Sequence, residues 1–450
     1  MNLNEVFHKK YTENGDVAFD AVSAEDNLLN ILFMSEYYQK HLNEVHIGKT
    51  ERDRLFARFV RDPRFGLGRR DLGRVLMHDS GCSIDEIVKS GRVDDLFIYN
   101  IKESDYYMSK DVLDYLYKEI LNGNELVKKW MPRYSSKNLV LARAIAKEWG
   151  MNKQQYGHFI KCDTTENKLS RKNTDDIIFE HVPSLAMIKY YQRFISKEDT
   201  KERFQKYLDD VKSGKKEIKV STTTVYDIYK NRDNIDPDLF FDKIEKISIN
   251  CLPIVDTSGS MHDSNDSIGK ALAIGHYLSK CSTYAKDKVV SFSSKPQLLT
   301  LGKANVIHNY YGGTSIQNLN GFKSQYMREI ESMKTGDCSN TDFGAVMELF
   351  KDLTDVPEWL VVLSDMEFDL GSRQSKNELK RIWKENGYKT KIVWWNLNSR
   401  STTAPEMDSE GNVFLSGYSP MLLKFLECGF DGKAFLNKLL NEYEKFLSES

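Results

Sequence analysis

The chain of 450 residues carries 64 Lys and Arg against 66 Asp and Glu, a formal net charge of −2, with 40% apolar and 29% charged residues. That balance excludes a disordered, fibrous or globally polybasic chain, and the length calls for two to three domains. The first residues, MNLNEVFHKKYTENGD, lack the apolar core of a secretion signal, and no run of 18 uninterrupted apolar residues offers a membrane span. Six cysteines (Cys82, Cys162, Cys251, Cys281, Cys338, Cys428) stand singly, with no CxxC pair. This spacing argues for reduced thiols and a cytoplasmic, intracellular location, and against a zinc site or disulfide framework.

Residues 1–245 read as helical. AEDNLLNILFMSEYYQKHL places Leu28, Leu29, Leu32, Phe33 and Met34 at near-helical spacing after Asp26. SKDVLDYLYKEIL, SKNLVLARAIAKEWG and PSLAMIKYYQRFI repeat the pattern, the last beginning on Pro and Ser as helices often do. Several amphipathic helices in series, without a strict period, predict an irregular array of paired helices or a plain bundle.

From residue 246 to 450 the texture changes. KISINCLPIVD, DKVVSFSS, EWLVVLSDMEFD and KTKIVWWNL are apolar strands, alternating with the helical segments DSIGKALAIGHYLSKCS, TDFGAVMELFKDL and SKNELKRIWKENG. Strand and helix in alternation predict a doubly wound parallel sheet, with function at the carboxyl ends of the strands. The fold class is therefore α + α/β. Trp394 and Trp395 are expected on opposite faces of a buried strand.

The first of these strands ends in LPIVDTSGSM, an aspartate followed by three hydroxyls. An aspartic protease is excluded because no second copy of the loop completes a dyad. A serine nucleophile is excluded because no glycine lies two positions before Ser258. A hard-cation site fits better. Asp256, Ser258 and Ser260 at i, i+2 and i+4 can aim one carboxylate and two hydroxyls at one point, as Mg²⁺ or another divalent cation requires. Thr341 at a helix start and Asp365 just past a strand bring two further oxygens to the same sheet edge. Asp342-Phe343-Gly344 matches the kinase metal-binding triplet, but no H-R-D loop or glycine-rich loop accompanies it, and Asp342 reads as a first-turn helix acid. An enzyme is not expected, since a two-metal hydrolase needs more carboxylates than this set supplies.

D-x-S-x-S followed by a Thr and an Asp resembles the metal-ion-dependent adhesion site of von Willebrand factor A domains, with Asp256, Ser258, Ser260, Thr341 and Asp365 in its five positions. A helical N-terminal half joined to such a domain resembles the Ro autoantigen family, whose TROVE module is a ring of helical, HEAT-like repeats. It is more similar still to an uncharacterised group of Ro-like proteins found in eukaryotes and viruses. The likeness is carried by RDPRFGLGRRDLGRVL (61–76), GRVDDLF (91–97), KKWMPR (128–133), VPSLAM (182–187), SDMEFD (364–369), VWWNL (393–397) and LSGYSPMLLKFL (415–426). Arg69 departs from the acid usual at its position in that group. The resemblance implies a helical domain over 1–245, an A domain over 246–450, direct Mg²⁺ ligation by four residues with Asp365 through water, and RNA binding.

Independent support for RNA lies in residues 127–172, where eleven Lys or Arg face three acids. Lys128, Lys129, Arg133, Lys137, Arg143, Lys147, Arg171 and Lys172 are the candidate phosphate contacts. Trp130, Tyr134, Trp149, Tyr156 and Phe159 are the candidate stacking rings, unless they belong to the core. Arg61, Arg64, Arg69, Arg70 and Arg74 are expected to form mainly a structural network with Asp62, Asp71, Asp94 and Asp95. The expectation is a non-catalytic Ro-type protein whose helical ring or arc binds structured or single-stranded RNA, without DNA specificity. The alternative is a metal-dependent protein–protein docking module, or a viral assembly or virion component without RNA binding, taking an acidic protein ligand at the cation's open position.

Overall fold

The computed structural model describes residues 7–11, 17–21, 28, 46–62, 66–100, 105–107, 109–135, 138–162, 165–170, 174–220, 223–292, 296–308, 313–335, 345–346, 349–350, 355–365, 381, 385, 387, 389–398, 406–407, 411–416, 423, 425–426 and 432–449. The helix expected over 26–42, apart from Leu28, and most of the helix expected over 375–387 lie outside this set, as do Arg64, Lys137, Arg171, Lys172 and Thr341. Backbone contacts divide the chain into two units, one of residues 41–222 with 442–450 and the other of residues 1–40 with 223–441.

The first unit is a succession of short helices: α1 (Glu51–Arg61), α2 (Arg70–Asp79), α3 (Ile84–Ser90), α4 (Lys110–Leu121), α5 (Glu125–Trp130), α6 (Leu139–Glu148), α7 (Lys153–Phe159), α8 (Thr165–Ser170), α9 (Ser184–Ser196) and α10 (Glu198–Lys212). One small hairpin, β3 (Ile98–Asn100) with β4 (Asp105–Tyr107), interrupts them. Their starts are fixed by side chains that satisfy the free N–H groups of a first turn. Thr50 with Asp53, Ser83 with Glu86 and Asn152 with Gln155 form reciprocal capping boxes, and Ser109 and Asn124 cap α4 and α5. Their buried stripes fill the core, with Phe56, Phe59, Leu72 and Leu76 between α1 and α2, and Phe179, Phe194 and Phe204 at 5.0–5.2 Å around α9 and α10. Tyr443 from the C-terminal helix α15 (Gly432–Glu449) packs edge-on against Phe59 and donates to Asp62 Oδ2 at 3.0 Å.

Three of the five arginines of the expected network are paired with its acids among the described residues. The Arg61 guanidinium lies 2.7 Å from Asp95 with both groups buried, Arg70 and Arg92 pair with Asp94, and Arg74 pairs with Asp71. Gly73 lets the two helices approach, since a Cβ there would lie 2.6 Å from the Arg61 Cα.

The second unit is built on a seven-stranded sheet in the order β12-β13-β11-β10-β5-β6-β7. Its strands are β5 (Cys251–Asp256), β6 (Lys288–Phe292), β7 (Gln297–Thr300), β10 (Trp359–Ser364), β11 (Lys391–Asn396), β12 (Glu406–Met407) and β13 (Val413–Ser416). The five inner strands are parallel; the edge strands β7 and β12 run antiparallel and close the two sides. These edges depart from the all-parallel expectation because β7 returns directly from β6 by a short connection, which an antiparallel pair alone permits. Two further hairpins, β1 (Phe7–Tyr11) with β2 (Val17–Ala21) and β8 (Val306–His308) with β9 (Thr314–Ile316), complete the described strands.

Every residue of β5 and β10 is buried, as the apolar runs require of strands covered on both faces. Leu252, Ile254, Leu360, Val362, Ile392 and Trp394 share one face with Val346 and Phe350. Val255 and Leu363 on the other face meet α13 (Ser267–Cys281) at Gly275. A Cβ at Gly275 would lie 2.5 Å from Val255 Cγ2 and 3.2 Å from Met333 Cε. Gly275→Ala should therefore cost about 1–3 kcal/mol of stability, measured by denaturant unfolding; a neutral result would mean the helix can slide off the sheet.

The unit division at 222/223 and the expected boundary at residue 245 differ by two helices, α11 (Val225–Asn231) and α12 (Pro237–Lys243). Both are tied to the helices of the second unit by specific bonds. Tyr226 in α11 donates to Asp266 at 2.9 Å, and Asp238 in α12 accepts from the N–H groups of Gln325 and Tyr326 at the start of α14 (Gln325–Ser332). Nothing in the helical periodicity of 225–243 distinguishes these helices from the ones before them.

Candidate functional site

The strand order places a topological switch between β5 and β10: the chain leaves β5 toward β6 on one side and later returns to β10 on the other. Loops diverge there and leave a crevice at the carboxyl edge. The register pairs Leu363 with Val255, which sets Ser364 beside Asp256 one step further on. The Ser364 hydroxyl donates to Asp256 Oδ2 at 2.6 Å. The Ser258 N–H donates to the other carboxylate oxygen at 2.9 Å, and the Ser258 and Ser260 hydroxyls stand 3.2 Å apart. Asp365 follows at the end of β10, also buried, its N–H on Met261 Sδ at 3.2 Å.

The structure thus brings Asp256, Ser258, Ser260 and Asp365 to one edge. Ser260 faces solvent while Asp256 is fully enclosed. Burial pushes the Asp256 carboxyl up to about 6 against the hydrogen bonds from Ser364 and Ser258, and the neighbouring Asp365 carboxylate adds to the rise. Two enclosed carboxylates and two hydroxyls are hard oxygen donors, and an ion between them would relieve the repulsion. An ionised carboxylate has room for about four hydrogen bonds, so these contacts leave Asp256 with acceptor capacity. The donor set fits Mg²⁺, Mn²⁺ or Ca²⁺. No group of three His, Cys, Asp or Glu suited to a metal occurs among the described residues, so this set is poor in carboxylates and rich in hydroxyls.

The cationic segment divides. Arg143 and Lys147 stand exposed at i, i+4 on α6, with no ion pair among the described residues, and the same holds for the exposed Lys161, while the Lys153 ammonium lies 5.9 Å from the Tyr134 ring. Lys129 is half-buried with its ammonium 5.4 Å from the Trp130 ring, and Lys128 pairs with Glu125 at 2.9 Å. Arg133 turns inward, donating to the Lys128 carbonyl and to Cys162 Sγ at 3.1 Å, which removes it from the surface set.

The rings of this segment serve the fold. Tyr156 is fully buried, with its hydroxyl on the Pro132 carbonyl at 2.9 Å. Trp149 lies against Tyr117, Tyr156 and Phe159 at 5.4–6.0 Å, and Tyr134 packs on Tyr156. Trp130 lies beneath the Arg92 guanidinium at 3.8 Å. Helix-to-helix packing claims these rings because the amphipathic stripes of α4, α6 and α7 are too short to bury themselves otherwise. Trp394 and Trp395 are both buried, as expected of a covered strand.

Sequence reasoning missed the groups that hold the loop. Ser364, directly before Asp365 in the strand, was available as a polar residue ending an apolar run. Tyr226, which donates to Asp266 at the far end of the loop, carries no such signal.

Comparison with protein families matches residues 250–444 to a domain of unknown function, DUF7788, and residues 160–246 to a second domain of unknown function, DUF2828. No curated protein matches the chain. Among solved structures, the crystal structure of the Deinococcus radiodurans RO (RSR) protein is similar at a TM-score of 0.45 and 10% sequence identity, covering 91% of this chain and 100% of that one.

Proposed function

We propose that this chain is a non-catalytic, cytoplasmic RNA-binding protein of Ro type whose A-like unit holds a divalent cation, with Mg²⁺ the favoured ion. The observation that carries the cation reading is the meeting of Asp256, Ser258, Ser260 and Asp365 at the switch point of the sheet, with the Asp256 carboxylate buried and still able to accept. Asp256, Ser258 and Ser260 would hold the ion directly, joined by Thr341, with Asp365 acting through water. A bound cation would keep an open position for an outside carboxylate or phosphate, because few of its ligands are charged. No helix of the described residues is long and apolar enough to cross a membrane.

The RNA reading rests on the Ro-like, HEAT-type helical pattern of the sequence and on the exposed face of α6, where Arg143 and Lys147 have no ion pair among the described residues. Cations without partners are what a phosphate backbone can use, since no internal salt bridge has to break first. With the aromatic residues committed to packing, contact through phosphates is favoured over base stacking. Wild type should bind single-stranded RNA with an affinity that falls steeply with salt, and Arg143→Glu/Lys147→Glu should weaken it about tenfold or more at low salt while flattening the slope. Absence of binding tighter than about 10⁻⁴ M in wild type would sink this reading. It would favour the second one, docking of an acidic protein at the cation.

A further inference from the structure

The loop from Thr257 to Asp266 carries both candidate hydroxyl ligands, and the structure pins it at four places. Met261, fully buried, takes the Asp365 N–H on its sulfur. Asp263 accepts the Ser267 hydroxyl at 2.7 Å and the N–H groups of Asn265 and Ser267 at 3.0 Å. The Asn265 side chain donates to Asn398 at 3.2 Å, just past β11. Asp266 closes the loop in the left-handed region at φ 54, ψ 47, capping α13 through Gly269 with one carboxylate oxygen and accepting from the Tyr226 hydroxyl at 2.9 Å with the other. Three of the four tethers stay within the loop and the strand ends beside it. The fourth reaches out to a separate helix.

That helix approaches unusually closely. A Cβ at Gly269 would lie 2.4 Å from Asp266 Oδ2 and 2.6 Å from Tyr229 Cε1, so only glycine admits the rings of α11 here. Tyr226 and Tyr229 are stacked at 6.4 Å, and the Lys270 ammonium lies 6.0 Å from the Tyr226 ring. A non-glycine residue in the left-handed region is held there by its surroundings, and at Asp266 those surroundings are the α13 cap and Tyr226.

We propose that Tyr226 is a positioning residue for the cation site, and that the loop and α11 respond to the ion together. The inference rests on the cation reading above. A hydroxyl that fixes Asp266 also fixes the exit of the loop whose entrance holds Ser258 and Ser260. By linkage, an ion that favours the pinned loop must favour the docked α11 by the same factor.

Tyr226→Phe keeps the ring and its packing and removes only the hydrogen bond. Mn²⁺ binding to the full chain by titration calorimetry should weaken about tenfold, the lower end of what losing a group that orients a metal ligand costs. In wild type, saturating Mn²⁺ should slow amide exchange over Val225–Asn231, and in the variant this protection should be reduced. If wild type binds Mn²⁺ and the variant binds it equally well with the same exchange response, Tyr226 is only structural and the proposal falls. A wild type that binds no Mn²⁺ overturns the cation reading itself, and this inference with it. A lower melting temperature in EDTA with unchanged Mn²⁺ affinity also counts against the proposal.

Discussion

Asp256→Asn is expected to weaken divalent-cation binding by about two orders of magnitude or more while leaving the sheet folded. Asparagine has the same shape, its amide oxygen can accept the Ser258 N–H, and its NH₂ can donate to the Ser364 hydroxyl, so the local hydrogen bonds survive in altered form. What disappears is the only fully buried charge in the proposed ligand set. Loss of a charged ligand in a set this poor in carboxylates should weaken Mn²⁺ or Mg²⁺ by about a hundredfold or more, at the upper end of what even an outer partner contributes. The metal-free variant should be no less stable than wild type, because a carboxyl that burial pushes up to about 6 is held at neutral pH against its own desolvation. Calorimetric titration with Mn²⁺ and urea unfolding in EDTA test both halves. Retained affinity would mean that Asp256 is not a ligand. A variant much less stable than wild type would mean that the carboxylate serves the sheet.

This expected pattern, function lost and stability kept, is what separates a site from a core. The sheet itself was legible in sequence because its strands are apolar runs too short for helices and bounded by polar turns. The aspartate was legible because an acid ending such a run has nowhere to go but the sheet edge. The helical stripes of α4, α6 and α9 were legible for the corresponding reason at a period of 3.6. Harder to read was anything decided by what packs against what. Tyr156 and Trp149 look like stacking rings beside lysines, but the short helices around them have no other way to fill their core. Arg133 looks like one more phosphate contact until Cys162, 29 residues on, turns out to take its N–H. The helices at 225–243 look like the last of the helical half, yet Tyr226 and Asp238 tie them to α13 and α14 of the second unit through partners 40 and 87 residues away. Periodicity reports which face is buried and is silent on the neighbour that buries it.

The buried polar network behind α13 shows the same limit and carries the largest expected stability effect. Glu329 in α14 accepts from His276 Nε2 at 2.7 Å, from Lys280 Nζ at 2.6 Å and from Gln325 Nε2 at 2.8 Å, and Lys280 also reaches Asp287 at 2.8 Å. Burial would raise the Glu329 carboxyl, but these donors outweigh it and hold it at about 2. His276 sits between the rings of Phe241 and Tyr326, and burial pushes its imidazole below the usual range. In its neutral form the ring carries its proton on Nε2, since the carboxylate can only accept, and Nδ1 has no hydrogen-bond partner among the described residues.

Glu329→Ala leaves the His276 N–H and one side of Lys280 unmet inside the unit, and should cost about 3–5 kcal/mol at pH 7. The pH dependence has a definite sign. Glu329 is depressed from 4.5 to about 2, so its contribution is complete above pH 4.5 and is lost as pH falls through that window, on the order of 3 kcal/mol in all. His276 acts in the same direction from a higher pH. Burial holds its proton less tightly in the fold than in the unfolded chain, so stability begins to fall as pH drops below about 6.5. Urea unfolding of wild type and of Glu329→Gln, followed from pH 7 to pH 3, separates the two. The variant should lose the limb below pH 4.5 and keep a shallower one above it. Wild-type stability that is flat between pH 6.5 and pH 3, or a Glu329→Ala variant within about 1 kcal/mol of wild type, would show that the network contributes no more than an ordinary exposed ion pair.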